Sequence, residues 1–348
     1  MHGRNIEMDS KLYGELILQS DFEETIREIR EKRVEIPQIC SEIQNDYRGL
    51  GFPPNGGKLS ILDEAIKTYK LDPIEGQKTF ATKRLAAYDE SIDKYSCLEG
   101  ELYVTAHSIV QISEERYLPT GLVTANFYTK AKKLTENSEH IKYTDNASVQ
   151  SQIDYAKDKI ELLRQSILKG SIVLIDGPII GGDVYTYMIK LLREFVEENI
   201  IPVFFVKNSC SDIVTEEIDS LKNNYNSDMH WASTVLRKGE RTSFFEYTDA
   251  RNSKNSKVFC YVRLFDGSPQ RIEFYKDSFH KNTGIIDEVM NCVYYMAILQ
   301  GKDKNPQIRP IAIAEKYARE YIKICDIKET FIKLSATTPI INEERFRR

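Results

Sequence analysis

The stretch Ser171-Ile-Val-Leu-Ile-Asp-Gly177 decides the fold, together with a second run, Ile201-Pro-Val-Phe-Phe-Val-Lys-Asn208. Both are short, continuous apolar runs, which is the pattern of strands that are buried on both faces of a parallel sheet. The segment between them, Asp183 to Asn199, is predicted to form a helix capped by Asp183. A strand, a helix and a strand in this order predict an α/β sheet with parallel members.

Upstream of these strands the chain alternates between strand and helix patterns. The run Arg84-Leu-Ala-Ala-Tyr-Asp-Glu-Ser91 is short, apolar and ends in acidic residues. Glu101 to Ile112 is rich in β-forming residues and predicts a long strand, and Gly121 to Tyr128 predicts a third. Val149 to Lys169 carries an apolar stripe at helical spacing and predicts the helix that leads into the strand at Ser171.

Downstream, further strands and two C-terminal helices are predicted. These elements are a helix near Thr215 to Asn223, strands at Phe244 to Tyr247, Val258 to Phe265 and Arg271 to Tyr275, and helices at Gly284 to Gln300 and Pro310 to Cys325. Asp266-Gly267 predicts a hairpin turn between the last two strands.

The first 75 residues have a different character. Leu12 to Arg33 has apolar residues at helical spacing, residues 49–57 form a loop rich in Gly and Pro, and Leu59 to Tyr69 predicts another helix. We therefore expect two regions. Residues 1–75 form an N-terminal helical region that offers a possible dimer or partner contact, and residues 76–348 form the main α/β domain.

Composition excludes several classes of protein. Of the 348 residues, 41% are hydrophobic and 29% charged, which is typical of a globular protein and not of a disordered one. No apolar run approaches the roughly 18 residues of a membrane span, the start has no signal-peptide core, and the six cysteines form no CxxC pair. These features predict a cytoplasmic protein. The net charge of −5 means that any nucleic acid must be bound through a local patch or a partner.

Familiar catalytic motifs are absent from the sequence. It contains no GxxxxGK[ST], GxSxG or HExxH segment, and the run Gly177-Pro-Ile-Ile-Gly-Gly182 does not match GxGxxG. The chain itself is therefore not expected to be a P-loop ATPase or a dinucleotide-binding protein.

Two acidic residues, Asp89 and Asp176, lie at the ends of apolar strands. The carboxyl ends of strands in an open α/β sheet form the crevice in which ligands bind. Two carboxylates that converge there repel each other unless a cation lies between them, and Mg²⁺ or Mn²⁺ prefers such oxygen ligands. Taken singly, each aspartate is more often an ordinary turn residue.

Other candidate residues lie on neighbouring elements. Asp154, Asp158 and Glu161 share one face of a helix, and the alternative is a solvated acidic face. Lys207 ends a strand and could contact a phosphate, although such residues are more often surface lysines. Glu315 on the last helix could complete a metal site or be a surface charge.

The order of these elements is that of a ribonuclease H-like nuclease, and several segments resemble the NurA nuclease family. The similar segments are Leu85-Ala-Ala-Tyr-Asp-Glu-Ser91, Ile172-Val-Leu-Ile-Asp-Gly-Pro-Ile179, Pro202-Val-Phe-Phe-Val-Lys-Asn-Ser209, Val258 to Phe265 with Arg271-Ile-Glu273, and Arg309-Pro-Ile-Ala-Ile-Ala-Glu-Lys-Tyr-Ala318. The resemblance implies a ribonuclease H-like mixed sheet flanked by helices, with an N-terminal helical appendage and a nuclease domain over residues 76–348.

The resemblance also implies roles for individual residues. Asp89 and Asp176 match the two metal-binding aspartates of the family, and Lys207 matches its strand lysine. The family's helix glutamate corresponds to Asp158 by spacing or to Glu161 by side chain. Two positions depart from the family pattern: Glu315 stands where histidine is usual, and Glu90 stands where the first motif has glycine.

By this resemblance we expect a metal-dependent DNA nuclease that uses Mn²⁺ or Mg²⁺. It also implies a homodimer that works with a HerA-type hexameric ATPase in DNA end processing or in anti-phage defence. The alternative is a catalytically weakened scaffold subunit of an ATPase complex, which the two departures favour. A different ribonuclease H-like enzyme, such as an Argonaute-type catalytic domain, is a third possibility, but the chain is short and lacks a guide-binding module.

Overall fold

A computed structural model describes residues 22–35, 57–113, 116–138, 140–179, 185–249, 256–300, 307–333, 337–338 and 340. The chain divides into two compact units, Met1–Ile39 and Cys40–Arg348. The first unit contains helix α1 (Phe22–Glu35), which confirms the second half of the helix predicted from Leu12. Residues 12–21 of that helix, the loop at 49–56 and the predicted cap Asp183 lie outside the described residues.

The second unit combines strands and helices in one chain order. Its strands are β1 (Gly57–Ile61), β2 (Thr68–Lys70), β3 (Leu85–Ser96), β4 (Glu101–Ser113), β5 (Arg116–Thr129), β6 (Ile141–Tyr143), β7 (Ile172–Asp176), β8 (Ile201–Val206), β9 (Glu240–Thr242), β10 (Phe245–Asp249), β11 (Ser256–Arg263) and β12 (Gln270–Tyr275). Its helices are α2 (Pro73–Thr82), α3 (Lys132–Thr135), α4 (Ala147–Ser166), α5 (Tyr185–Glu197), α6 (Asp228–Val235), α7 (Lys276–Lys281), α8 (Ile286–Gln300), α9 (Arg309–Cys325) and α10 (Ile327–Lys333).

The strands of the described residues form one mixed sheet. Its main order is β1-β10-β11-β12-β8-β7-β3-β4-β5-β6, and β9 joins it by pairing with β11 and β2. Strand β7 runs parallel to both β3 and β8, and β5 runs parallel to β6. The remaining neighbouring strands described pair antiparallel. The parallel strands expected from residues 171–177 and 201–208 are thus confirmed at the centre of the sheet.

Helices cover both faces of the sheet at β3, β7 and β8. Leu174 and Val203 belong to an apolar cluster that includes Ile311 of α9. Val173 and Phe204, one residue away along the same strands, belong to a second cluster that includes Leu163 of α4. Because side chains alternate between the faces of a strand, α9 lies over one face and α4 over the other.

The predicted helix at Leu59 to Tyr69 is wrong, because this segment forms strands β1 and β2. Strand β1 pairs with β10, where Leu59 lies opposite Tyr247, and β2 pairs with β9. Leu59 is buried in this arrangement, whereas its neighbour Lys58 is exposed. Partners distant in the chain thus override a weak helical pattern.

Two other local elements differ from expectation. Residues 215–223 form turns instead of a helix. The buried carboxylate of Asp228 accepts hydrogen bonds from the backbone amides of Val214 and Thr215, which fixes the start of this segment from outside it. Helix α2 was not predicted, although Asp72 caps it and Pro73 occupies its first turn. No helix in the described part of the chain is long and apolar enough to cross a bilayer.

Candidate active site

Asp89 and Asp176 lie side by side on neighbouring parallel strands. The register of β3 and β7 places Tyr88 opposite Ile175, so the next residues along both strands are the two aspartates. Neighbouring strands of a sheet are about 4.8 Å apart. Both aspartates alternate with residues that face α4, so their side chains belong to the face of the sheet that α9 covers.

Asp89 is a buried carboxylate that is only partly satisfied. Only 4% of the residue's surface is exposed to solvent. Its Oδ1 atom accepts a hydrogen bond of 2.7 Å from the backbone amide of Glu90, whereas Oδ2 is buried and has no hydrogen-bond partner. Burial, and then the negative charge of Asp176, raise the pKa of Asp89 to about 8. The ionised form therefore needs an additional positive charge nearby.

Asp176 is paired with the cation that ends the next strand. The Nζ atom of Lys207 donates a hydrogen bond of 2.6 Å to Asp176 Oδ2. Burial raises the pKa of Asp176 above its ordinary value, although the Lys207 ammonium opposes this shift. Gly177 follows with a φ of 95°, a backbone conformation that favours glycine, so the chain turns directly after the acid. The turn leaves the Asp176 side chain at the strand end.

Glu90 and Lys159 meet on the opposite face of the sheet. The Nζ atom of Lys159 on α4 lies 3.9 Å from Glu90 Oε2 and 4.5 Å from the centre of the Tyr88 ring. Beneath them, the Tyr88 hydroxyl lies 2.6 Å from Nδ1 of buried His107, and burial lowers the pKa of His107 to about 4. This histidine therefore packs in the core as a neutral group. The Glu90 charge also raises the pKa of both Asp89 and Asp176.

The three acidic residues of α4 contact other groups. Asp154 accepts hydrogen bonds of 2.8 Å from both Lys142 and Tyr128. Asp158 accepts one of 2.9 Å from Thr124 on β5, and burial raises its pKa. Glu161 has a half-exposed side chain and pairs with Arg164 at 3.0 Å.

Glu315 lies on α9, the helix that covers the Asp89 face. Its carboxylate accepts a hydrogen bond of 2.7 Å from Gln307 and pairs with Arg319. The structure thus brings Asp89, Asp176 and Lys207 together. It holds Asp158, Glu161 and Glu315 against neighbours of their own.

The Asp89–Asp176 pair has the chemistry of a divalent cation site with few protein ligands. Among the described residues, no group of three or more His, Cys, Asp or Glu side chains is arranged to hold a metal ion. Mg²⁺, however, is commonly bound by one or two carboxylates together with substrate phosphates. The unpartnered Oδ2 atom of buried Asp89 fits this role, because a cation there would supply the missing positive charge.

Two neighbours of the site were not identified as functional from the sequence. In the sequence, Glu90 is notable only as a departure from a family glycine, and Lys159 carries no signal of its own. The signal that identifies Glu90 is its position directly after Asp89. Lys159 is one residue away from Asp158 on the helix, and this single step turns a cation toward β3 and the acid toward β5.

The prediction that Asp89 ends its strand is wrong, because β3 continues to Ser96 in its pairing with β4. A mixed sheet flanked by helices, with aspartates on two adjacent central parallel strands, defines a ribonuclease H-like protein. The crystal structure of the NurA nuclease from Sulfolobus solfataricus is similar, with a TM-score of 0.52 and 12% identity over 92% of this chain and 100% of that one. The NurA domain model matches residues 102–320, more than half of the chain. The chain therefore belongs to the NurA family of nucleases.

Other comparisons are more distant. The crystal structure of NurA with manganese has a TM-score of 0.40 and 8% identity over 91% of this chain and 99% of that one. NurA bound to dAMP and manganese has a TM-score of 0.37 and 9% identity over 86% of this chain and 93% of that one. No curated protein sequence matches the chain. The family match includes Asp176 and Lys207, whereas Asp89 lies before its first residue.

Proposed function

We propose that this chain is a metal-dependent deoxyribonuclease that hydrolyses phosphodiester bonds of DNA. The observation that carries the proposal is the buried, unpartnered Oδ2 atom of Asp89 on the strand next to Asp176. Two carboxylates held side by side on adjacent strands are costly to a fold unless a cation binds them. Membership of the NurA family supports the nuclease activity.

Each side chain has a separate task in this proposal. Asp89 and Asp176 would hold Mn²⁺ or Mg²⁺ through their carboxylate oxygens. When bound, such a cation lowers the pKa of a bound water and neutralises charge on a phosphate oxygen. Lys207 orients Asp176 through its 2.6 Å contact and presents a positive charge to the scissile phosphate. The parallel strands β7 and β8 and the turn at Gly177 keep these groups in place.

The remaining ligands belong to the proposal by family resemblance. Asp158 or Glu161 would supply a helix carboxylate, and Glu315 would act where the family usually has histidine. Each would have to exchange its present partner for a cation or for DNA. Of these two helix residues, Asp158 is held more firmly in one orientation. It is half-buried and accepts a hydrogen bond from Thr124, whereas Glu161 is exposed.

The proposed assembly is a cytoplasmic homodimer that acts with a HerA-type hexameric ATPase in DNA end processing or anti-phage defence. The apolar residues at helical spacing from Leu12 to Arg33 support a dimer or partner contact in the region 1–75. The nuclease domain, proposed to occupy residues 76–348, would also take in β1 and β2, because both strands pair within its sheet. A partner that delivers DNA would also compensate for the net charge of −5, which disfavours binding of DNA by bulk attraction.

A catalytically weakened scaffold subunit is the competing proposal. The observation that favours it is Lys159, because α4 turns an ammonium and not a carboxylate toward Glu90 and the strand of Asp89. In this case the chain would bind the ATPase without cutting DNA.

A nuclease assay separates the two proposals. Purified protein is incubated with linear DNA and Mn²⁺, the metal present in the NurA structures named above, with and without EDTA and with and without the ATPase. We expect cleavage that EDTA abolishes and that Asp176→Asn reduces by at least a hundredfold, while Asp219→Asn, an exposed control, retains it. Retained cleavage in Asp176→Asn would overturn the site assignment, and no cleavage by the wild type in any condition would favour the scaffold.

A further inference from the structure

A buried cluster of charges lies behind the candidate active site. It consists of Lys257 on β11 and Arg271 and Glu273 on β12, which are 5%, 5% and 0% exposed. Arg271 and Glu273 alternate with Ile272 and Phe274, which pack in the apolar cluster on the α9 side of the sheet. The charged side chains therefore belong to the opposite face from Asp176 and do not line the site.

Glu273 is the centre of this cluster. Its Oε1 atom accepts hydrogen bonds of 2.5 Å from Lys257 Nζ and 2.8 Å from Arg271 Nε. Burial raises the pKa of Glu273, but the two cations outweigh this effect and hold it below its ordinary value. The carboxylate is thus charged and fully engaged inside the protein.

The second oxygen of Glu273 reaches the loop that follows Asp176. The backbone amide of Ile179 donates a hydrogen bond of 2.9 Å to Glu273 Oε2. Ile179 is itself buried, and only Gly177 and Pro178 separate it from Asp176. The turn that sets the direction of the Asp176 side chain is therefore fixed at its far end by Glu273.

Arg271 makes the corresponding connection to the loop that follows Lys207. Its Nη1 atom donates a hydrogen bond of 2.9 Å to Ser209 Oγ and another to Ser211 Oγ. Ser211 in turn contacts Asp228, which also accepts the amides of Val214 and Thr215. One polar network thus holds both loops that leave the strand ends of Asp176 and Lys207.

We expect this network to contribute little net stability to the fold. Burying ion pairs in place of well-packed apolar groups is often neutral or unfavourable, because desolvation offsets the attraction between the charges. A network of charged hydrogen bonds does, however, impose one geometry on the groups that it contacts. Its physical effect here is to define two loop positions.

We propose that Glu273 and Arg271 are positioning residues for the nuclease reaction, which set Asp176 and Lys207 through the loops at Ile179 and at Ser209 to Ser211. The inference rests on the proposed function. Neither side chain needs to contact DNA. A misplacement of about 1 Å in a catalytic group can lower a rate about a hundredfold, so a shift of either loop is expected to appear in kcat.

The test uses charge-balanced double variants of the full chain. Lys257→Met/Glu273→Leu removes one buried charge of each sign and leaves the Ile179 amide without its acceptor. Lys257→Met/Glu273→Gln removes the same charges but retains an oxygen that can accept from Ile179. Arg241→Met/Asp287→Asn is the matched control, because it removes another ion pair with a buried arginine, at β9, that contacts neither loop.

Two readouts are compared with the wild type: kcat and KM for Mn²⁺-dependent DNA cleavage, and hydrogen exchange of the backbone amides of Gly177, Ile179 and residues 207–211. For the Leu variant we expect kcat to fall by about ten- to a hundredfold, with KM within about threefold and faster exchange in both loops. The Gln variant should retain most of the kcat, and the control should match the wild type.

A second variant protects the test against failure to fold. Ser209→Ala/Ser211→Ala cuts the connection of Arg271 to one loop without changing any charge, and should lower kcat and increase exchange at 207–211 only. Wild-type kcat and wild-type exchange in both the Leu and the Ala variants would overturn the inference. If the wild type itself does not cleave DNA, the proposed function fails, whereas the exchange data still decide whether the network holds the loops.

Discussion

The Nζ atom of Lys207 lies 2.6 Å from Oδ2 of Asp176, and this ion pair joins the ends of the two central parallel strands β7 and β8. Both side chains are about a quarter exposed, so the pair is accessible from solvent yet held by buried strands. Asp89 on β3 extends the row by one more strand. The site thus combines the ends of β7 and β8 with Asp89, which directly follows the last residue of β3 that pairs with β7.

Removing the lysine tests this pair. We expect Lys207→Met to lower the rate of DNA cleavage by at least tenfold, because the scissile phosphate loses a positive charge and Asp176 loses the group that orients it. Lys169→Met is the control, since Lys169 is an exposed residue that pairs with Glu198 outside the site. Equal rates for the two variants, measured on linear DNA with Mn²⁺, would show that Lys207 has no part in the reaction.

Replacing Asp89 is expected to change stability and activity in opposite directions. Asp89→Asn should raise the free energy of unfolding at pH 7 in EDTA by about 1 kcal/mol. The raised pKa of Asp89 means that folding must either bury a charge or bind a proton, whereas a neutral amide needs neither. The same variant should lose DNA cleavage. Urea denaturation followed by circular dichroism measures the first effect, and a destabilised variant would mean that Asp89 has a partner that neutralises it in the free protein.

The acid that acts on the Asp89–Asp176 pair from outside it can be identified by comparing single variants. The charge of Glu90 acts on both Asp89 and Asp176, whereas Glu161 pairs with Arg164 on an exposed helix face. The charge of Glu90 adds to the negative potential that attracts a cation to the two aspartates, although its side chain lies on the opposite face of the sheet. We therefore expect Glu90→Gln to lower Mn²⁺-dependent cleavage about threefold to tenfold and Glu161→Gln by no more than about twofold. The reverse order would assign the role to the helix glutamate that the family resemblance implies.

Glu246 provides a prediction for the dependence of stability on pH. Burial raises its pKa, but hydrogen bonds from Lys276 at 2.7 Å and His280 at 2.6 Å outweigh this and hold the pKa below its ordinary value of 4.5. The folded state therefore binds fewer protons than the unfolded state in this range. The stabilisation that Glu246 contributes is present above pH 4.5 and is lost as the pH falls through the pKa of Glu246 in the folded state.

Glu246→Gln should accordingly flatten the loss of stability below pH 4.5, while it lowers stability at pH 7 by about 1 kcal/mol. Chemical denaturation at a series of pH values measures both effects. Glu136→Gln, at an exposed position, serves as the control. If Glu246→Gln lost stability below pH 4.5 as steeply as the wild type does, the pairing of Glu246 with Lys276 and His280 would be contradicted.

The central strands could be predicted from sequence because burial on both faces leaves a continuous apolar run. Residues 172–176 and 201–206 show this pattern, and the positions of Asp176 and Lys207 at their ends follow from it. Strand β4 was likewise predicted from its β-forming residues, whereas β3 extends to Ser96, beyond the predicted apolar run that ends at Ser91. These elements are determined by local composition, so the sequence pattern was sufficient.

The remaining features depend on partners far along the chain. Strands β1 and β2 are short and pair with β10 and β9, about 180 residues later, so their own residues carry little signal. The side-chain directions of Asp158 and Lys159 depend on how α4 rotates against the sheet, which helical spacing alone does not fix. The connection of Glu273 to Ile179 spans 94 residues and has no local pattern at all.

Direct measurement of metal binding tests the central claim, which is that Asp89 and Asp176 together bind a divalent cation. Mn²⁺ is titrated into metal-free wild-type protein, Asp89→Asn and Asp176→Asn, and the free ion is followed by electron paramagnetic resonance. We expect saturable binding by the wild type and at least a tenfold weaker affinity in each variant. Wild-type affinity for Mn²⁺ in both variants would contradict it.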